Sequence, residues 1–336
     1  MISDFLPILI RGESLSTDEM RAAIGSIMRG AESPEVIASF LTAIRMRGET
    51  AEELTGAALS LRDSAITPTI HRSGIADTCG TGGSPVPTFN VSTAAAIVAS
   101  ACGLPIAKHG NRSFSSSSGS ADVLAALGVN IEASHKVVSA CLDEFGLAFF
   151  FAPLWHPAMK HAGPVRRALG FRTLFNLVGP LANPAPIEFQ LLGVGQRESM
   201  IKMAEAARLL GISRAAVVWA EDGVDEVSLS AKTHVLHVTA SGTTSLAWQP
   251  EDFGLSNVHL SDLEIKGPDE SAAMIRSVLD GKPGAATDIT IANAAATLWT
   301  AGVAREVREG VVQAREAIAS GAAKRQLDLL VAGTNR

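Results

Sequence analysis

Near residue 70 the sequence changes texture, and that change decides the class of fold. Up to about residue 65, every apolar run repeats at helical spacing. Ser16 and Glu19 have capping-box spacing, and Met20, Ile24, Ile27 and Met28 follow with a helical period. Ser33 and Pro34 place a cap and a first-turn proline in the preferred order. Thr50 and Glu53 repeat the capping box ahead of Leu54, Ala57, Ala58 and Leu61. No strand signal interrupts this pattern, so residues 1–70 read as a small helical domain.

From about residue 74, short apolar runs alternate with helices. Strands are expected over 75–79, 104–108, 147–153, 189–194 and 215–219, with helices over 92–102, 123–127, 135–145 and 200–210. Such alternation predicts a larger α/β domain, residues 71–336, whose central, mostly parallel sheet is covered by helices. Residues 233–248 read as an antiparallel hairpin or edge, and the last 50 or so residues return to helix. The proline-rich stretch 155–184 is helical in pattern and reads as a bridge or hinge that packs with the helical domain.

The chain of 336 residues carries a net charge of −6 and a pI of about 5.8, with no lysine-rich tail. Nucleic acid and anionic membrane surfaces are therefore poor partners. Three separated cysteines without a CxxC give neither a disulfide framework nor a zinc site and suit a reducing compartment. The opening MISDFLPILIRGES, with Asp4 and a short apolar run, does not read as a signal peptide. The most apolar segments, such as 147–152, fall far below the ~20 residues of a membrane helix. The cytoplasm is the expected location.

Four segments carry chemistry. In DTCGTGGSPVPTFNVSTAAA, residues 77–96, Gly80, Gly82 and Gly83 follow a strand, and Ser92 and Thr93 open a helix. Glycine amides and unpaired helix-start amides make an anion site, although an ordinary strand-to-helix turn has the same look. The spacing is neither a Walker loop nor a Rossmann fingerprint. In AKHGNRSFSSSSGSAD, residues 107–122, Lys108, His109 and Arg112 stand beside Asn111 and six serines. Such donors suit phosphate, while the bland alternative is a solvated loop. Both loops would lie at the carboxyl ends of strands, where parallel sheets bind ligands. In AEDGVDEVSL, residues 220–229, Asp225 and Glu226 are adjacent acids that suit either Mg²⁺ or plain solvation. Arg166 and Arg167 fall on a helix in 156–184, where Arg166 either presents a fork to a carboxylate or is surface charge.

The order and spacing of these segments resemble the anthranilate phosphoribosyltransferase family over nearly the whole chain. FLTAIRMRGETAEELTGAA, GTGG, TFNVST, KHGNRS, HPAMKHAGPVRRALGFRTLFNLVGPLANP and DGVDE carry the resemblance, and KHGNRS with FNLVGPLANP is its specific part. The resemblance implies a pentosyltransferase that moves phosphoribosyl from phosphoribosyl pyrophosphate to anthranilate with Mg²⁺. It implies a homodimer formed through the helical domain, with the active site between the two domains. Phosphoribosyl pyrophosphate would be held by Gly80, Gly83, Ser84, Thr88, Asn90, Val91, Ser92 and Thr93. The loop Lys108, His109, Gly110, Asn111, Arg112, Ser113, Phe114, Ser115 and Ser116 would join them, with Ser120. Ser92, Asp225 and Glu226 would hold Mg²⁺. Gly80, Asn111 and Arg166 would contact anthranilate, with Arg166 near its carboxylate. Lys108 suits stabilisation of the departing pyrophosphate, and His109 either relays a proton, contacts anthranilate or is structural.

Two departures stand out. The family commonly has an acid after GTGG, where this chain has Ser84, and often a His-Gly pair where it has Trp219 and Ala220. The first removes a carboxylate near the ribose phosphate and Mg²⁺ region, and the second puts bulk beside the acidic loop. Neither removes the anion site, so activity is expected to survive. A pyrimidine nucleoside phosphorylase shares the fold and a glycine-rich phosphate loop, but KHGNRS favours the transferase. A non-enzymatic nucleic-acid-binding relative would need a basic groove that the net charge opposes.

Overall fold

The computed structural model describes residues 1–113 and 117–336. At its N-terminus, helices Thr17–Met28, Pro34–Arg47 and Ala51–Asp63 form a small bundle. The two capping boxes are made as the sequence spacing requires. Ser16 Oγ accepts from the Glu19 amide at 3.3 Å, and Thr50 Oγ1 accepts from the Glu53 amide at 3.2 Å. Glu53 does more than cap. Fully buried, it accepts from the Leu15 amide (2.9 Å) and from Arg47 Nη2 (2.6 Å), so one carboxylate ties three parts of the bundle.

The remainder of the chain builds a seven-stranded sheet. Its strands are β1 (Ala76–Gly80), β2 (Ile106–Gly110), β3 (Leu147–Phe151), β4 (Phe189–Gly193), β5 (Arg214–Ala220), β6 (Thr233–Thr239) and β7 (Gly242–Trp248). The spatial order is β3-β2-β1-β4-β5-β6-β7, with the first five parallel and the last two antiparallel. Residues 233–248 thus form the expected hairpin, and they edge the sheet.

Alternate strand residues face opposite cores, as the two-residue period of a strand dictates. Phe149 and Phe151 join Ala216 and Val218 on one face, beneath helices Val91–Ala101, Ala285–Ala301 and Ala322–Thr334. Ala148 and Phe150 join Leu192 and Val217 on the other. That second core continues without a break into Phe40, Ile44 and Leu61 of the bundle. The stretch 152–182 lies on the bundle side as short helical turns, among them Gly163–Leu169 and Leu174–Val178.

Some boundaries differ from the sequence reading. β2 begins two residues later than expected, because its register with β3 runs from Ile106 opposite Leu147 to Gly110 opposite Phe151. The helices after β1 and β4 start one residue early, at Val91 and Ser199. Among the described residues no helix is long and apolar enough to cross a membrane.

Candidate active site

The topology chooses the site. From β1 the chain steps outward to β2 and β3, then returns to β4 on the opposite side of β1. Beyond the carboxyl ends of β1 and β4 lies the switch point of the sheet, where open α/β folds bind ligands. A cavity of about 940 Å³ opens there. Its walls bring together segments more than a hundred residues apart in sequence.

The glycine loop after β1 is held from two sides. The Thr81 amide donates to the Gly193 carbonyl (2.9 Å), and the Gly82 amide donates to Asp225 Oδ2 (2.8 Å). Arg172 Nη2 clasps the carbonyls of Thr81 (2.7 Å) and Gly82 (3.1 Å). Gly83 adopts φ +99°, which favours glycine, and a Cβ there would lie 2.7 Å from Arg172 Nη1 and push the guanidinium aside. Ser84 closes a tight turn over Pro85, its Oγ donating to the Val86 carbonyl (3.1 Å) and accepting from the Val86 amide (3.3 Å). The hydroxyl that replaces the family's acid is therefore engaged with backbone.

The start of the next helix is less open than its sequence suggests. The Val91 amide donates to the Phe89 carbonyl, and those of Thr93 and Ala94 donate to Asn90. The Asn90 side chain does not cap the helix. Its Oδ1 accepts from the hydroxyls of Ser118 (2.7 Å) and Ser271 (2.8 Å), and Nδ2 donates to the Ser118 carbonyl (3.1 Å). Asn90 thus joins the glycine loop to the loop after β2.

That second loop folds back on itself around Asp122. Asp122 Oδ2 accepts the amides of Ser113 (2.9 Å) and Gly119 (3.0 Å), and Oδ1 pairs with Arg112 Nη1 (3.1 Å). Beneath it, Lys108 is buried and donates to the Thr78 carbonyl, with Ser92 Oγ at 3.3 Å. Burial lowers its pKa, while Asp77, Cys79, Glu226 and Asp225 act in the opposite sense. His109 Nδ1 lies 3.2 Å from the Gly179 carbonyl, and its Nε2 is buried without a partner among the described residues. Burial, then the neighbouring His156 ring at 5.3 Å, lowers the His109 pKa to about 3.

The acids stand on the loop after β5. Asn293 grips that loop with two bonds, accepting from the Val227 amide and donating to the Val227 carbonyl, both at 2.9 Å. Lost hydration raises the pKa of both acids, and the charge of Asp225 lifts Glu226 well above the usual carboxylate range. No group of three or more His, Cys, Asp or Glu suited to a metal occurs among the described residues. The Ser92 hydroxyl lines the same cavity as the pair.

The cavity collects nearly every residue singled out in the sequence: Gly80, Gly83, Ser84, Thr88, Asn90, Ser92, Lys108 through Ser113, Ser120, Arg166, Asp225 and Glu226. Val91 and Thr93 do not line it; both side chains are buried in the core. Phe114, Ser115 and Ser116 lie outside the described residues. Arg166 stands over the Phe175 ring at 5.4 Å, and burial lowers its pKa. Trp219 is absent from the lining; its ring lies 5.7 Å from the Arg197 guanidinium and 5.5 Å from the His234 ring. Arg172, His156, Asp77 and Asn183 were missed by the sequence reading. For Arg172 the only signal was a basic residue just after the helix-ending Gly170.

Fold and cavity together define a two-domain glycosyl transferase. Residues 3–65 match the helical bundle domain of the glycosyl transferase family, and residues 72–324 match its a/b domain. The chain is 47% identical over 320 residues to the anthranilate phosphoribosyltransferase of Thioalkalivibrio sulfidiphilus, covering 95% of each chain. The crystal structure of that enzyme from Thermus thermophilus superposes with a TM-score of 0.94 at 41% identity, covering 99% of this chain and 100% of the other. The Saccharomyces cerevisiae enzyme in complex with phosphoribosyl pyrophosphate and Mg superposes with a TM-score of 0.91 at 31% identity, covering 99% and 98%. The chain belongs to the anthranilate phosphoribosyltransferase family.

Proposed function

We propose that the chain transfers phosphoribosyl from phosphoribosyl pyrophosphate to the amine of anthranilate, giving N-(5-phosphoribosyl)anthranilate and pyrophosphate in tryptophan biosynthesis. One observation carries this reading. A single cavity at the sheet's switch point is shared by the glycine loop, Lys108, the acid pair and Arg166. In our reading phosphoribosyl pyrophosphate is held by Gly80, Gly83, Ser84, Thr88, Asn90 and Ser92, with Lys108, Asn111, Arg112 and Ser120. Anthranilate meets Gly80, Asn111 and Arg166. The guanidinium of Arg166 has no hydrogen-bond acceptor among the described residues, which leaves its fork for the carboxylate.

Ser92, Asp225 and Glu226 fit a divalent cation. Two carboxylates stand side by side, and lost hydration with the charge of Asp225 pushes Glu226 well up despite the positive charge of Lys108 nearby, so a divalent cation would relieve their repulsion. When bound, Mg²⁺ supplies positive charge to phosphate oxygens of the leaving group.

The anomeric carbon loses its bond to the pyrophosphate oxygen as the bond to nitrogen forms, through an oxocarbenium-like state. Pyrophosphate departs with the bonding pair, and the proton lost by the attacking amine passes to the departing pyrophosphate or to solvent. An arylamine is neutral near pH 7, so the protein's task is to place it and to stabilise the departing anion. Lys108 and the loop amides suit the second task. His109 lines the cavity with its Nδ1 donating to the Gly179 carbonyl, while its Nε2 is buried and without a partner among the described residues. Burial lowers its pKa to about 3, so the ring stays neutral and does not serve as a strong base.

We further place the domain boundary near residue 70, with the stretch 156–184 joining the helical side. We also place the enzyme in the cytoplasm as a homodimer. Free thiols at Cys79, Cys102 and Cys141 suit a reducing compartment. Ile10 and Met46, 77% and 85% exposed, give the helical bundle apolar surface for a second copy. Chromatography of parallel incubations tests the function: anthranilate with phosphoribosyl pyrophosphate should be consumed, while thymidine with phosphate should release no thymine. The reverse result would favour a nucleoside phosphorylase.

A further inference from the structure

β1 and β2 are in register at a single pair, Ala76 opposite Ile106, whereas β1–β4 and β2–β3 each continue through five pairs. Had the parallel ladder continued, the His109 amide would donate to the Thr78 carbonyl. It donates instead to Asp77 Oδ1, at 3.2 Å. The neighbouring Ala107 carbonyl accepts from Asn183 Nδ2 at 2.8 Å, and the second hydrogen of that nitrogen reaches Asp77 Oδ2 at 3.0 Å. Lys108 Nζ takes the Thr78 carbonyl, and from there it stands 3.3 Å from Ser92 Oγ.

Side chains have therefore replaced main chain across this seam. Asp77 and Asn183 are 0% and 1% exposed. A carboxylate buried inside a sheet is costly unless donors and a cation compensate it, and an apolar residue would pack there at no such cost. The Asp77 carboxylate has the His109 amide, Asn183 Nδ2, the Cys79 thiol at 3.2 Å and the charge of Lys108. Asn183 in turn fixes the chain that follows it, because its Oδ1 accepts the Ala185 amide at 2.9 Å. Just before it, the carbonyls of Gly179, Pro180 and Leu181 meet His109 Nδ1 (3.2 Å), Gln190 Nε2 (2.7 Å) and Arg62 Nε (2.9 Å).

We propose that Asp77 and Asn183 are positioning residues for phosphoribosyl transfer. They hold the β1–β2 seam open so that Lys108 Nζ passes through it to Ser92 and the phosphate end of the cavity. The inference rests on the function proposed above. It assigns to the Asp of DTCGTGG and the Asn of FNLVGPLANP a role in aiming a cation, although neither side chain touches substrate.

Steady-state kinetics of Asn183→Ala and Asp77→Asn, with wild type alongside and melting temperature as a check on folding, tests this. The KM for phosphoribosyl pyrophosphate should rise about tenfold, the equivalent of one hydrogen bond to a charged group, while the KM for anthranilate moves far less. Asn183→Ser, which keeps a donor toward Asp77, should recover part of that loss. Should Asp77→Asn fail to fold, the two Asn183 variants decide the matter. Unchanged KM values, with kcat falling only as the folded fraction falls, would make the pair purely structural and overturn the inference. An inactive wild type would overturn the function and the inference together, whereas an active wild type with unaffected variants overturns the inference alone.

Discussion

Gly193 and Asp225 are packed so closely that a Cβ on Gly193 would lie 1.6 Å from the Asp225 carbonyl oxygen. The end of β4 is thus a seat for the acidic loop, and only glycine leaves room for it. Gly193→Ala must displace backbone rather than a flexible side chain, so we expect a loss of about 1–3 kcal/mol from overpacking. Because the displaced residue is Asp225, a higher Mg²⁺ requirement should accompany the loss. Denaturant unfolding together with a Mg²⁺ titration of activity checks both; an unchanged Mg²⁺ midpoint would dissociate the seat from the acids.

Arg166→Ala should weaken anthranilate more than phosphoribosyl pyrophosphate. Removing a charged donor from a carboxylate costs about 1.5–3 kcal/mol, or roughly tenfold to a hundredfold in affinity. Arg166→Lys should recover little, since a point charge does not reproduce the planar fork. Separate KM values for the two substrates decide the matter, and a larger effect on phosphoribosyl pyrophosphate would reject the carboxylate role.

Arg172 lines the cavity and clasps the carbonyls of Thr81 and Gly82, so it fixes the glycine loop at the cavity wall. Arg172→Ala should raise the KM for phosphoribosyl pyrophosphate about tenfold, with a smaller change for anthranilate. Steady-state kinetics at fixed Mg²⁺ measures the split, and equal shifts in both constants would count against a loop-specific role.

His109 and His156 are expected to remain neutral throughout the working pH range. Burial lowers their pKa values to about 3 and about 4, from 6.5 in the open chain. From 6.5 down to about 4 for His156, and about 3 for His109, the unfolded chain binds protons that the folded chain refuses, so stability present above 6.5 is lost as pH falls. The raised carboxyls of Asp77, Asp225 and Glu226 act in the opposite sense, losing stability as pH rises. Proton NMR of the histidine rings separates the contributions. The His109 signal should not titrate between about pH 8 and 5, and a midpoint near its ordinary value of ~6.5 would contradict the buried, neutral ring.

Local chemistry made most of the fold legible. Capping boxes at Ser16 and Thr50, and glycine stops such as Gly146, mark elements through bonds between near neighbours. The strand-to-helix alternation then dictated a parallel sheet and placed both polar loops at its carboxyl edge. What stayed hidden depends on contacts across the sequence. Arg172 finds the glycine loop 90 residues away. Asn183 reaches Asp77 across 106 residues. No periodicity announces such pairs. The helix start at Asn90 misled for the same reason, because its side chain is claimed by Ser118 and Ser271 rather than by the helix amides. Net charge was silent about the cavity, where Lys108, Arg166 and Arg172 concentrate positive potential inside an acidic chain.

Anthranilate fluorescence reports the central chemistry most directly, because transfer to the amine consumes the fluorophore. With phosphoribosyl pyrophosphate and Mg²⁺ present, the signal should fall with time. A chelator should stop the decay, and restored Mg²⁺ should restart it. Fluorescence that stays constant at high enzyme concentration, in protein shown to be folded, would contradict phosphoribosyl transfer to anthranilate.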